Sequence, residues 1–273
     1  MVLQKSKQSF DYWYSNTSRE SGLDLIPNHL IMYIFNHVAV FPDNLWPKQI
    51  VSNGLVNYEG EKMSKSMGNT VPLRIAIKKY GADPMRMIEV SGADIDTEFA
   101  FSAETINSVV SRNEFIMGSI DTLDVMRGTE LEHIDYWLYS KINSKISKAT
   151  QSMENLEFRA AYIEIYYNAI NELKWYVERG GKNQMVMREF LESMTLMLAP
   201  IMPHLSEEIW QLLGNTTLAA QARWPEANTE MINEKVEQTE QIISDTIEDI
   251  NNGISLTSKM DANKGNKHLM PCL

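Results

Sequence analysis

Gly60-Glu61-Lys62-Met63-Ser64-Lys65-Ser66-Met67-Gly68-Asn69 sets two lysines three residues apart among small hydroxyl side chains, with glycine near either end. Glycine opens backbone conformations that other residues avoid, so the stretch reads as a loop that carries two charges. From Lys62 to Ala82 there are five cations (Lys62, Lys65, Arg74, Lys78, Lys79) and no acid, in a chain whose net charge is −11. Lysine is a compact charge on a flexible stem and suits phosphate groups that move during a reaction. The plainer reading of such a run is a solvated basic face.

Working outward, the patterns on the two sides of the loop differ. Before it, Asp24-Leu25-Ile26-Pro27 reads as a short strand, and Asn28 as the cap of a helix carrying Leu30, Ile34 and Val38 on one face. Ile50-Val51 and Leu55-Val56 around Asn53-Gly54 read as a hairpin. Phe10-Asp11-Tyr12-Trp13-Tyr14 reads as core aromatics. After the loop, a helix from about Arg74 to Tyr80 is closed by Gly81, and Asp83-Pro84 opens another with Asp83 as its cap. Strand, turn and helix signals alternate up to about residue 100, which favours an α/β segment.

From Ser102 onward the period is helical. One helix starts at Ser102-Ala103-Glu104. Others follow the Ile134 to Met153 face, the Phe158 to Tyr176 face ended by Gly180-Gly181, the stretch Met185 to Leu198, and Pro203 to Gly214. Short connections between them predict an antiparallel bundle. An acidic amphipathic helix carries Ile232 to Ile254, and no period continues beyond Ser258. The fold class is therefore mixed but mainly α. The expected division is 1–100, 101–230 and a further extension, 231–273.

Composition is that of a globular protein, and the acidic balance argues against nucleic-acid binding over the whole surface. A single cysteine, Cys272, allows no internal disulfide and suits a reducing cytoplasm. The polar start is no secretory signal, and the most apolar run, His29 to Phe41, is too short to span a bilayer. His29 and His37 are spaced unlike a zinc pair, so no protein-held metal is expected.

Lys62-Met63-Ser64-Lys65-Ser66 matches the signature loop of the class I aminoacyl-tRNA synthetases. Asp24-Leu25-Ile26-Pro27-Asn28-His29-Leu30, with Ile34-Phe35-Asn36-His37 after it, resembles the archaeal and eukaryotic leucyl-tRNA synthetases. Phe10 to Tyr14 and Tyr80-Gly81-Ala82-Asp83 are similar to the same family. Leu198-Ala199-Pro200-Ile201-Met202-Pro203-His204, Glu207-Glu208-Ile209-Trp210 and Trp224-Pro225 resemble its anticodon-binding-type bundle.

The resemblance implies a Rossmann-like catalytic domain, of which this chain holds the C-terminal part, followed by the bundle. It implies activation of leucine with ATP and transfer to tRNA(Leu), with Mg²⁺ carried on the ATP phosphates. Lys62 and Lys65 are then the catalytic cations. Asn28, His29, Lys62, Met63, Ser64, Lys65 and Ser66 line the ATP site. Lys141, Lys145 and Lys148, spaced at four and three, form a candidate tRNA face, with an ordinary solvated helix face as the plainer reading. The family's His-x-Gly-His nucleotide motif and its editing domain are absent from this sequence. The chain alone is thus expected not to activate leucine, and the missing N-terminal part of the same enzyme is an expected partner. The alternatives are a non-catalytic tRNA-binding scaffold and the isoleucine or valine enzyme.

Overall fold

The structure, a computed structural model, describes residues 2–14, 16–58, 61–63, 66, 68, 70, 72–95 and 97–267. Its first part holds two small sheets. Strand β1 (Arg19–Gly22) pairs in parallel with β2 (Ile50–Asn53), Arg19 opposite Ile50. Strand β3 (Val56–Tyr58) pairs antiparallel with β4 (Glu61–Lys62) and in parallel with β5 (Phe99–Phe101). Helices α1 (Val2–Trp13), α2 (Ile31–Val40), α3 (Leu73–Tyr80) and α4 (Ala82–Gly92) belong to the same part, and α4 packs against β5.

The bundle follows: α5 (Ala103–Leu123), α6 (His133–Glu154), α7 (Phe158–Tyr162), α8 (Ala169–Glu178), α9 (Gln184–Leu198), α10 (Pro203–Leu212) and α11 (Glu234–Lys267). A π-helical turn, Ile163–Asn168, joins α7 to α8. The starts of these helices follow from their caps. Ser102 and Thr105 form a reciprocal capping box, and Asn183 accepts from the N–H groups of Met185 and Val186. The predicted faces are buried: Ile134, Leu138, Ile142, Ile146 and Ala149 on α6, with Tyr162, Tyr166, Tyr176 and Phe190 filling the centre. Burial of each such side chain contributes about 1.5–3 kcal/mol. Two of the tyrosines keep their hydroxyls satisfied, Tyr166 on Val109 O (3.0 Å) and Tyr176 on Asp135 Oδ1 (2.6 Å).

Several local expectations change. Residues 23–30 form a 3₁₀ turn running into a π-helical turn, and the strand lies one step earlier, at Arg19–Gly22. Asn28 sits inside that turn and makes no cap bond. Asn53-Gly54 does not close a hairpin, because β2 and β3 belong to different sheets. Gly54 is there for close approach: its N–H donates to Ile95 O (3.0 Å), and a Cβ would stand 2.0 Å from Thr97 O. The aromatics near residue 12 are not core. Phe10 stacks on Tyr14 (4.2 Å) at the surface, while Tyr12 and Trp13 stand exposed. Helix α1 carries them where no clean period was legible, and α11 continues past Ser258 to Lys267.

Asp83 is not the cap of its own helix. Gly81, at φ 89°, precedes α4, and the Asp83 carboxylate reaches across to α10. It accepts from Leu205 N–H (2.7 Å) and meets His204 Nδ1 (2.8 Å), with the residue only 5% exposed. One turn on, Arg86 donates to Ile201 O (2.7 Å) and Pro200 O (3.0 Å). Asp83→Ala should therefore lower stability by about 2 kcal/mol, the sum of a lost cap and a lost charge-assisted bond. Urea unfolding followed by circular dichroism measures it. A change below about 0.5 kcal/mol, the level of an ordinary surface substitution, would show that the cross-link carries no weight.

Candidate functional site

The parallel strands place the site. In α/β sheets ligands gather beyond the carboxyl ends of the strands. Strand β1 runs out toward Asn28 and His29, and β3 runs out toward the lysine loop. His29 is exposed, and its Nε2 meets Arg19 Nη2 at 2.6 Å. Guanidinium only donates, so Nε2 is the acceptor of that bond. Arg19 lies over the Tyr33 ring (4.9 Å), and its Nε is buried without a hydrogen-bond partner. That orphan donor beside His29 is a feature the sequence did not flag, since a lone arginine in a polar stretch carries no pattern.

Of the loop itself, Lys62 closes strand β4 opposite Asn57. Met63 is half-buried and packs against the main core, which anchors the start of the loop. Ser66 is exposed in a turn, and Gly68 takes φ 69°, the left-handed region that favours glycine. Ser64 and Lys65 lie outside the described residues, as do Met67 and Asn69. Helix α3 continues the basic run, with Lys78 and Lys79 in its last turn, where the helix dipole favours cations.

The lysine row of the bundle is not one open face. Lys145 is 3% exposed and holds Glu172 Oε1 (3.0 Å) and Glu164 Oε2 (3.2 Å). Lys141 is tied to Glu237 Oε2 at 3.0 Å, which links α6 to α11. Lys148 alone of the three is exposed. Spacing on a helix cannot foresee this, because the carboxylates come from α8, α11 and the π-helical turn. A second knot fixes α11: Glu240, 1% exposed, accepts from Trp175 Nε1 (3.0 Å) and Arg179 Nε (3.0 Å).

These pairs predict distinct outcomes. Lys145→Ala should cost about 3 kcal/mol, the low end for breaking a buried pair, because two half-buried carboxylates lose their shared cation. Lys148→Ala should stay within about 0.5 kcal/mol. Equal, small effects in thermal unfolding would return the row to a solvated face. The pH response follows from Glu164. Burial pushes its carboxyl up, but Lys145, Lys148 and the Asn168 amide outweigh burial and hold it below its ordinary value of 4.5. The resulting stability is present above pH 4.5 and is lost as pH falls through the folded value. Glu164→Gln should then destabilise at neutral pH and lose that effect in acid, read from melting temperatures across the range.

The chain matches two family models. Residues 2–120 match "tRNA synthetases class I (M)", and residues 135–267 match "Anticodon-binding domain of tRNA ligase". The leucine–tRNA ligase of Methanocaldococcus jannaschii is 38% identical over 91% of this chain and 27% of its own length. That of Aeropyrum pernix is 37% identical over 95% of this chain and 28% of its own length. The chain thus spans about a quarter of the length of the curated relatives it matches. A solved ternary complex of the Agrobacterium radiobacter K84 agnB2 LeuRS with tRNA and LeuAMS aligns with a TM-score of 0.67. It is 24% identical, over 80% of this chain and 29% of that one, a likeness of fold. The two models cover both the loop-bearing part and the bundle, and the chain belongs to the class I aminoacyl-tRNA synthetases, within the leucyl-tRNA synthetase family.

Proposed function

We propose that this chain supplies the signature-loop segment and the helical bundle of a leucine–tRNA ligase acting in the cytoplasm. Its partners are then ATP, leucine and tRNA(Leu). The observation that carries the reading is the intact Lys62-Met63-Ser64-Lys65-Ser66 sequence, whose first residue lies on β4, paired with parallel strand β3. In the first step the leucine carboxylate attacks the ATP α-phosphate and pyrophosphate leaves. Lys65, with Lys62 secondary, meets the charge that grows on the departing oxygens, which accelerates the step only where that contact tightens in the transition state. Asn28 and His29 stand on the nucleotide side. Met63 anchors the loop, and Ser64 and Ser66 offer hydroxyl donors to phosphate.

Mg²⁺ on the phosphates would neutralise part of their charge, and an ion held that way asks little of the protein. Among the described residues no three His, Cys, Asp or Glu side chains gather into a cage. No helix among them is long and apolar enough to cross a membrane. In the bundle, phosphate contact falls to exposed Lys148, with Lys141 and Lys145 holding the helix that presents it. The division at residues 100 and 230 belongs to the same reading, and the first turns of α11 dock on α6 through Lys141 and Glu237.

The apolar side chains on α2 (Met32, Phe35, 67% exposed) and on α3 (Leu73, Ile75) are open. Exposed apolar side chains of this size are covered in a working protein, and we assign the cover to the N-terminal part of the same ligase. The test is a chimera in which this chain replaces its matching quarter of the Methanocaldococcus jannaschii leucine–tRNA ligase. Leucine-dependent ATP–pyrophosphate exchange should appear in the chimera and not in this chain alone. Lys65→Ala should cut it by about 10²–10³-fold. Exchange driven by isoleucine or valine, or exchange indifferent to Lys65, would sink the reading.

A further inference from the structure

A cavity of about 640 Å³ lies between the strand part and the bundle. Its walls come from β3, α4, β5 and the α6–α7 turn. Val56, Val90, Phe99, Leu156 and Phe158 make it largely apolar. Cavities of this size at the junction of two packed parts are where small ligands bind.

The charged groups at its wall are Glu89 on α4, Asp94 after α4, Glu157 and Arg159. Arg159 Nη1 is 3.5 Å from Asp94 Oδ2, so the guanidinium is already shared with a carboxylate. Glu89 is exposed where it meets the cavity, and among the described residues no hydrogen bond or ion pair holds its carboxylate. Burial pushes that carboxyl above its ordinary value, against the pull of Arg86 on the same helix. Among the described residues the wall therefore has three carboxylates and one guanidinium, beside two aromatic rings. The turn that closes it is also unusual. Leu156 takes φ 63°, a left-handed conformation that a leucine adopts only where its surroundings impose it.

We infer that this cavity is a binding site for an organic ammonium ion with an apolar body, its cation held by Glu89 against the Phe99 and Phe158 rings. An ammonium exchanges water at the Glu89 carboxylate for a charge-assisted bond, and neighbouring aromatic rings attract a cation further. The alkyl body fills the remaining apolar wall. An anion of the same shape meets an excess of carboxylates, and a neutral alcohol offers Glu89 no charge. The site needs neither ATP nor tRNA, so it stands or falls independently of the ligase reading.

Titration of the whole chain with hexylammonium, hexanol and hexanoate, followed by calorimetry, tests it. Hexylammonium should bind about 10-fold or more tightly than hexanol, with hexanoate weakest, the margin expected of a charge-assisted bond. Glu89→Gln should erase the preference of amine over alcohol while leaving the melting temperature in place. Equal affinity for amine and alcohol would reduce the cavity to a nonspecific apolar hollow and overturn the inference. So would no binding of any probe, or a Glu89→Gln variant that keeps the preference. Should that variant fold poorly, the amine-to-alcohol ratio of the unaltered chain decides alone.

Discussion

Asp83 and Arg86 hold the two parts of this molecule together from a single turn of α4. A helix leaves its last carbonyls and its first amides without partners, and the α9–α10 corner presents both kinds within a few residues. Arg86 donates to two carbonyls there, those of Pro200 and Ile201, and Asp83 accepts from the Leu205 amide at the start of α10. Sheets of two and three short strands do not stand alone in water, and here they do not have to. Ala76, Met85, Met87 and Ile88 of α3 and α4 run into one continuous core with the bundle. The β3–β5 sheet, through Phe99, is thus seated on the bundle beneath it.

The bundle handles its charge internally. Lys145, Glu164 and Glu172 meet at the side of the π-helical turn, and Glu240 collects three side chains from α6 and α8. Removing both partners of such pairs for apolar ones is often harmless, whereas removing one strands a charge. Their worth is therefore in fixing how α8 and α11 sit on α6. This also limits what the bundle can offer to RNA. A lysine committed to two carboxylates releases no counterions from a phosphate backbone, so affinity there must come from the few cations left outside.

The bundle was legible because its helices keep a 3.6-residue period and end in glycine or proline, signals that act over one or two turns. The short strands were not. A strand of four residues that pairs with one thirty residues away, as β1 does with β2, leaves almost no local mark. Asn53-Gly54 looked like a hairpin because the dipeptide favours tight turns, yet here the glycine serves a close approach to Thr97. Asp83 before Pro84 carries every mark of a cap, and it is one, for a helix 120 residues further on. Lysines at four and three spacing share a helix face, but whether that face meets water depends on carboxylates the helix itself does not contain. Only the family resemblance, resting on five adjacent residues, singled out the loop.

The loop is held at its ends by different means, and that follows from the pairing. Its entry is β4, a two-residue edge strand bonded to β3 alone. Met63 then pins the chain to the core. Its exit is α3, which passes through Gly81 at φ 89° directly into α4 and so to the grip on the α9–α10 corner. Between them lies a stretch rich in small residues with Gly68 in the left-handed region. The entry answers to the sheet and the exit answers to the bundle. The seat of α4 on the bundle therefore helps to set where the loop ends, although α4 lies outside the loop itself.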